Sequence, residues 1–334
     1  NRSLASRIKS KLNVDVNVES PSKAGIIFRS KIYDLAVKEG IFKDVNDARE
    51  WIHEVSMELA RMRVKKASEK RDLVVAQAIM TLDDIDKTLN LFASRIREWY
   101  GLHFPELNRL VDKHETYIRL VNELGRRDNF KVKRLIELGL SESKAKKVAE
   151  AAIKSMGAEL NDEDIKKISE FCNRAIRLYE MRKSLEKYID AVMDEVAPNV
   201  KALVGSLLGA RLIALAGGLD NMARMPSSTI QVLGAEKALF RALRTGTNPP
   251  KHGVIFQHPY VHGSKRWQRG KIARVLAGKL AIAARVDAFS GKYIGNELRK
   301  DLDARVKEIR EKYKSPPPKK IVKKRRRRKR GRRG

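Results

Sequence analysis

The sequence has little of several things, and each shortage removes a class of protein. A single cysteine, Cys172, excludes an internal disulfide, and with only six scattered histidines it excludes zinc sites built on paired cysteines. A reducing cytosol is the expected location. Neither G-x-G-x-x-G nor G-x-x-x-x-G-K-[ST] occurs, so no dinucleotide fold or P-loop is supported and no cofactor is expected. Aromatics make up only 6 % of the residues against 34 % charged, which favours a helix-rich, extended molecule over an average globule. The longest apolar stretch, Leu203 to Leu219, is interrupted by Arg211 and falls short of the roughly 20 residues a bilayer-spanning helix needs, so no membrane partner is expected. The chain opens at Asn1 with neither Met nor a signal-type apolar core, so an N-terminal portion is expected to precede it.

What the chain has in excess is positive charge. Its 72 Lys and Arg against 41 Asp and Glu leave +31, which calls for a polyanionic partner. Twelve of those cations lie between Lys319 and Arg333 with no acid among them, and removing them still leaves +19. This tail follows a stiff Ser315-Pro316-Pro317-Pro318 spacer and has no apolar content to fold around. Nucleic-acid binding without sequence preference is its expected use.

Periodicity divides the rest. Residues 1–70 mix a β-like alternation at Val14, Val16 and Val18 with a Ser20-Pro21-Ser22 turn and helical stretches near Ile32 to Val37 and Trp51 to Met62, as the remnant of an N-terminal α/β domain would. Within 71–198, Val75, Ala78, Leu82, Ile85, Leu89, Phe92, Ile96 and Trp99 follow at spacings of 3 and 4, a coiled-coil seam. The rhythm resumes after His103-Phe104-Pro105 through Leu107, Leu110, His114, Tyr117, Val121 and Leu124, which predicts one long helix kinked at the proline. Phe171, Ala175, Leu178, Arg182, Leu185, Ile189, Val192 and Val196 form a return arm, so the two arms make an antiparallel hairpin whose tip is Gly125 to Asn161. Periodicity alone leaves two readings open: the tip joins two copies, or the arms merely satisfy each other. Residues 199–313 read as all-α, with a tightly packed core helix over Leu203 to Leu219 and a long loop from Thr245 to Gly263, and 314–334 is the tail. The expected fold class is mainly α.

Three groups invite chemistry and have blander explanations. His252, His258 and His262 are close, but Pro259 and Gly263 disfavour a regular His-x-x-x-His face, so RNA contact or loop packing is preferred to metal binding. Asp83, Asp84 and Asp86 lie off the seam, and a solvated helix face is expected of them. Cys172, next to a seam position, is expected to be a buried thiol rather than a nucleophile.

The run Gly234-Ala235-Glu236-Lys237-Ala238-Leu239-Phe240-Arg241-Ala242-Leu243 is followed by Pro249-Pro250-Lys251-His252-Gly253 and Ile255-Phe256-Gln257-His258-Pro259. With Arg97 to Leu107 and Ala197-Pro198-Asn199-Val200, these motifs resemble the Nop family, most closely the archaeal homologue of the nucleolar scaffold proteins of box C/D particles. The resemblance covers about Ser22 to Tyr313. It implies a non-catalytic scaffold in the particle that methylates ribose 2′-hydroxyls of ribosomal and transfer RNA at sites chosen by a guide RNA. The N-terminal domain would hold fibrillarin, which would itself bind S-adenosylmethionine. The C-terminal domain would grip a kink-turn in the guide RNA shaped by a small binding protein of the ribosomal L7Ae type. The coiled coil would pair two scaffold copies, with Leu82, Ile85, Leu89, Phe92, Leu185 and Ile189 as expected contacts. A spliceosomal-type Nop protein without a methyltransferase is disfavoured by residues 1–70, and an RNA-modifying enzyme in its own right would need a cofactor site.

The residues themselves fit an RNA site. Gly234-Ala235 ahead of a helical run would leave backbone N–H groups free for phosphate, while Lys237 and Arg241 share one helical face and Glu236 and Phe240 a neighbouring one. Such a surface offers charge for phosphates and a ring for an unstacked base, although Phe240 could equally be packing. Lys251, Gln257 and His258 in the loop, and Lys265, Arg266, Arg269, Lys271 and Arg274 beyond it, are the further expected RNA contacts.

Overall fold

A computed structural model describes residues 8–12, 22–68 and 71–316 of the chain. The chain divides into two compact units, Asn1–Lys70 and Arg71–Gly334. Among the described residues every regular element is helical. The alternation at Val14, Val16 and Val18 lies outside the described residues, as does the basic tail.

The first unit consists of α1 (Lys23–Ser30), α2 (Ile32–Lys38) and α3 (Val45–Ser68), preceded by a helical turn at 8–12. The Ser22 hydroxyl accepts the Gly25 N–H at 3.0 Å and so starts α1. One carboxylate oxygen of Asp44 accepts the N–H groups of Asn46 and Asp47, which fixes the entry into α3. The rings of Phe42 and Trp51 meet at 5.5 Å around the buried Ala48, while Ile26, Ile27, Phe28 and Ile41 stay exposed.

In the second unit, α4 (Arg71–Tyr100) and α9 (Asp162–Val196) are the two antiparallel arms. Polar contacts along their length set the register: Arg71 pairs with Glu195, Arg182 with Asp86, and the rings of Phe92 and Phe171 meet at 4.5 Å. Arg182 sits in the apolar seam because its guanidinium reaches Asp86 across the hairpin and Glu186 one turn along, satisfying the charge locally. The Asp83–Asp84–Asp86 cluster is therefore not a simple solvated face. Only Asp84 fits that description, with Lys87, whereas Asp83 pairs with Arg211 and Asp86 with Arg182. Trp99, expected at the end of the seam, is 40 % exposed, and its neighbour Tyr100 is buried in its place.

The seam is enclosed within one chain. Leu82, Ile85, Leu89 and Ile189 are buried within the chain, while Phe92 and Leu185 are half-buried and pack against the cores at the two ends of the hairpin. Replacing Leu82 or Leu89 with Gln should each cost about 3–5 kcal/mol, since a cavity-sized apolar site would receive an unpaired amide. Chemical denaturation followed by helical circular dichroism measures this, and unchanged midpoints would sink the assignment.

The long kinked helix expected beyond Trp99 is instead a break into separate pieces. After Tyr100 the chain turns through residues 101–106 into α5 (Leu107–Leu110), α6 (His114–Leu124), α7 (Val132–Glu137) and α8 (Glu142–Ile153). Arg97 causes much of this break. Its guanidinium donates to the carbonyls of Asn108, Val111 and Asp112 and to His114 Nδ1, and lies 4.3 Å from the Tyr117 ring centroid. Tyr100 donates to the Gly125 carbonyl and His103 bonds the Ala158 carbonyl, so α4 is tied to the tip rather than continued into it. Cys172 is fully buried in this tip core, and burial pushes its thiol up to about 12.

A second core joins the base of both arms to the C-terminal helices. The expected single core helix over Leu203 to Leu219 is two helices, α10 (Pro198–Val204) and α11 (Ser206–Ala216), bent by 119° at Gly205, whose φ of +81° only glycine adopts readily. Among the described residues no single helix is long and apolar enough to cross a membrane. The unit is completed by α12 (Leu219–Arg224), α13 (Ser227–Val232), α14 (Glu236–Thr245), α15 (Pro259–His262), α16 (Arg266–Phe289) and α17 (Gly295–Lys312). Asn199 pins this arrangement. It is fully buried, donates to Asp287 and to the Lys292 carbonyl, and accepts the Ile294 N–H. Asp287 also accepts the N–H groups of Asn199 and Val200 at the start of α10, and burial nonetheless raises its carboxyl above the usual range.

Candidate nucleic-acid interface

The segment Gly234–Leu243 forms the start and body of α14, and only Ala242 within the helix is buried. Lys237, Phe240, Arg241 and Arg244 line an open cleft on its outer side. Phe240 is 68 % exposed and Leu243 71 %, so the ring is not packing against the core. Two apolar side chains held in water beside three cations form a surface with an apolar body and a charged rim, suited to a partner that carries both phosphate and something flat or greasy.

The N–H groups of Gly234 and Ala235 themselves are engaged, while the first turn of α14 carries no side-chain cap. The Gly234 N–H donates to the Glu236 carboxylate at 2.6 Å, and the Ala235 N–H to the Val232 carbonyl at 2.9 Å. The Glu236 carboxylate thus folds back onto Gly234, one residue ahead of the helix N-cap. The sequence pattern placed the glycine correctly but could not say which acceptor its N–H finds.

The loop residues divide the same way. Gln257 accepts from Arg211, whose guanidinium also holds Asp83 in α4, so its amide oxygen is engaged inside the molecule. His258 is buried. Its Nε2 donates to the Leu203 carbonyl at 3.1 Å while Nδ1 accepts the Tyr260 N–H, capping α15, and burial lowers its pKa further from protonation. It is a structural histidine rather than an RNA contact. His252 stacks on Phe256 at 4.7 Å, with the Arg269 guanidinium 5.2 Å from that ring, and among the described residues no cluster able to hold a metal occurs.

Of the basic stretch after the loop, several members have internal partners. Arg269 donates to the carbonyls of Ser264 and His262, Lys271 lies 4.0 Å from the Tyr313 ring centroid, and Lys265 donates to the Lys314 carbonyl. Trp267 and Gln268 also bond the Tyr313 carbonyl, so this stretch chiefly fastens the end of the C-terminal helix. Lys251, Arg266 and Arg274 remain exposed. The residue overlooked in the sequence is Arg244, one turn beyond Arg241, which the same i, i+3 and i, i+4 rule would have found.

Residues 81–308 match the family model described as Nop, "snoRNA binding domain, fibrillarin". The chain belongs to the Nop family. Residues 1–65 match a second model, the archaeal Nop5/56-related N-terminal domain. An uncharacterized NOP5 family protein of Methanocaldococcus jannaschii is 47 % identical over 317 residues, which is 94 % of this chain and 76 % of that one. Human nucleolar protein 56 is 42 % identical over 253 residues, 74 % of this chain and 43 % of the relative. Human nucleolar protein 58 is 43 % identical over 257 residues, 76 % and 48 % respectively. The chain thus spans less than half the length of these two human relatives. A chain from the crystal structure of a fibrillarin/Nop5p complex aligns at a TM-score of 0.46 and 22 % identity, covering 90 % of this chain and 91 % of that one.

Within the Nop domain the remaining motifs that carry the likeness are architectural. Gly253, in the Lys251-His252-Gly253 motif, donates its N–H to the Gln231 carbonyl, and Val254 donates to Leu233, which clamps the loop to the connector ahead of α14. The Arg97–Leu107 and Ala197–Val200 motifs hold the tip and the arm–domain junction described above.

Proposed function

We propose that this Nop-family chain is a non-catalytic scaffold of the archaeal box C/D guide RNA–protein complex, which directs ribose 2′-O-methylation of ribosomal and transfer RNA. The observation that supports it most is the outer face of α14, where Lys237, Arg241 and Arg244 stand exposed with Phe240 and Leu243 inside the snoRNA-binding domain. A face that is half cationic and half apolar suits a composite surface, the guide RNA kink-turn together with its L7Ae-type binding protein, better than bare RNA. Fibrillarin docks on the Asn1–Lys70 unit in this reading, brings S-adenosylmethionine with it, and transfers the methyl group. Two scaffold copies associate near the tip, where Leu102, Ile153 and Met156 are 61 %, 86 % and 93 % exposed, and the assembly works in the archaeal cytosol.

Reconstitution with guide RNA, fibrillarin and the kink-turn protein tests this. Methyl transfer to a target RNA should require all four components, and transfer by this chain with S-adenosylmethionine and RNA alone would overturn the scaffold reading. The tail should add only nonspecific affinity, because twelve closely spaced cations release counterions whatever the base sequence. Deleting Lys319 to Gly334 should flatten the salt dependence of RNA binding and leave the choice of guide RNA unchanged, and a lost choice would refute it.

A further inference from the structure

Very little holds α14 to the rest of its unit. Of its 10 residues only Ala242 is buried, whereas α17 buries Leu298, Leu302 and Val306 along one face. Among the described residues no side-chain hydrogen bond, ion pair or ring contact joins residues 236–247 to any residue outside 232–247. The bonds they make are local: the Glu236 carboxylate accepts the Gly234 N–H, and the Thr245 hydroxyl bonds the Arg241 carbonyl and the Thr247 hydroxyl. The helix is slung between Gly234 and Gly246, whose φ values of +80° and +67° lie in the left-handed region. A β-carbon on Gly246 would meet nothing within 4 Å, so this end turns in open space.

Three features oppose this helix in water. Helices shorter than about 12–15 residues are marginal unless an apolar face is buried, yet Phe240 and Leu243, three apart on one edge, are both exposed. Lys237 and Arg241 are four apart and Arg241 and Arg244 three apart, so successive turns set like charges together. Lys237 is also the second residue of the helix, where the positive end of the backbone dipole repels a cation. Only Arg244, in the last turn, stands where the dipole favours it, and the one acid, Glu236, is turned back onto Gly234. A partner that brings phosphates to the cations and an apolar surface to the Phe240–Leu243 edge removes all three.

We propose that α14 is mostly unfolded in the free protein and folds as it binds, so that its ordering is coupled to assembly of the surface it meets. The inference rests on the RNA-scaffold reading for the identity of that surface alone. A segment that orders on binding discriminates against incomplete surfaces, because the ordering cost stays the same while the contacts that offset it are fewer. Kink-turn RNA by itself supplies phosphates but nothing for Phe240 and Leu243. α14 therefore stays unfolded on it and folds only when the kink-turn protein is also in place.

Hydrogen exchange of the full chain, read by mass spectrometry, tests the first half without RNA. Amides of 236–245 should exchange within seconds at neutral pH, while those around the buried Ile272, Leu276 and Leu280 of α16 stay protected. Protection of α14 comparable with that of α16 overturns the proposal. Two glycine substitutions at exposed helical alanines give an independent measure. Ala304→Gly, inside α17, should lower the thermal midpoint by about 2–4 °C, whereas Ala238→Gly should leave it unchanged because the helix it weakens is already absent. An equal drop from Ala238→Gly overturns the proposal too. With guide RNA and the kink-turn protein together, α14 should gain protection, and Ala238→Gly, off the cleft lined by Lys237 and Arg241, should weaken assembly about fivefold, equivalent to about 1 kcal/mol of helix propensity. A preformed helix would lose almost none of that affinity. Protection by RNA alone overturns the dependence on the second protein. Rapid exchange that persists in the full complex removes α14 from the interface and the coupling with it, whereas protection already present in the free chain defeats the coupling and leaves the RNA reading standing.

Discussion

Gly253→Ala should lower the thermal midpoint by about 6–12 °C, the shift that about 3 kcal/mol produces in a unit of this size. A β-carbon at this position would stand 1.9 Å from the Leu233 carbonyl oxygen and 2.6 Å from the Val232 carbonyl carbon. Both are backbone atoms, so no rotamer change relieves the clash. The end of α13 to which they belong is held in turn by the Gly253 and Val254 N–H groups and by the Gln231 amide, which donates to the Lys251 carbonyl. To fit a methyl group, the loop must part from the connector that positions α14, and RNA affinity should fall although no exposed cation has changed. Gly278→Ala is the matched control. It lies in α16 with nothing within 4 Å of the added carbon, and it should raise stability by about 0.5–1 kcal/mol by removing glycine from a helix interior. Equal midpoints for the two variants would show that the close approach is not limiting.

The parts of the fold that could be read in the sequence are those where one helix records its own burial. Leu82, Ile85 and Leu89 on one arm and Ile189 and Val192 on the other are spaced by 3 and 4 because each must face a partner once per turn, and all are buried. What could not be read depends on partners far along the chain. The spacing from Leu107 to Leu124 fits a continued helix as well as a separate one, and the choice is made by Arg97 gripping carbonyls 11 to 15 residues away. Asp83 looked solvated because Arg211 lies 128 residues from it. His258 and Gln257 sit in a polar loop whose composition suits RNA, yet their acceptor and donor are 55 and 46 residues distant. On α14 the reverse holds: with so little of the helix buried, its own periodicity is nearly the whole story, and Lys237, Phe240 and Arg241 stand where the sequence placed them.

That exposure makes the decisive substitution interpretable. Lys237→Ala with Arg241→Ala should weaken entry into the guide complex by well over tenfold, since each lost contact in a desolvated interface is worth about 1–3 kcal/mol. Both side chains are exposed and neither forms an ion pair within the described residues, so the double variant should melt with the parent protein. Fibrillarin binding and self-association, assigned to other parts of the chain, should be unchanged. Phe240→Ala separates the two halves of the face: if the ring meets a base or the kink-turn protein, its loss should weaken the complex while leaving the salt dependence as it was, whereas the loss of two cations should reduce that slope by about two. Gel shifts with and without the kink-turn protein decide among the possibilities. A composite surface requires the loss to be large only when that protein is present, because binding to bare RNA is expected of charge elsewhere, in the Lys319–Arg333 tail above all. Equal losses in both series would make α14 one part of a general basic patch, and no loss in either would remove it from the interface.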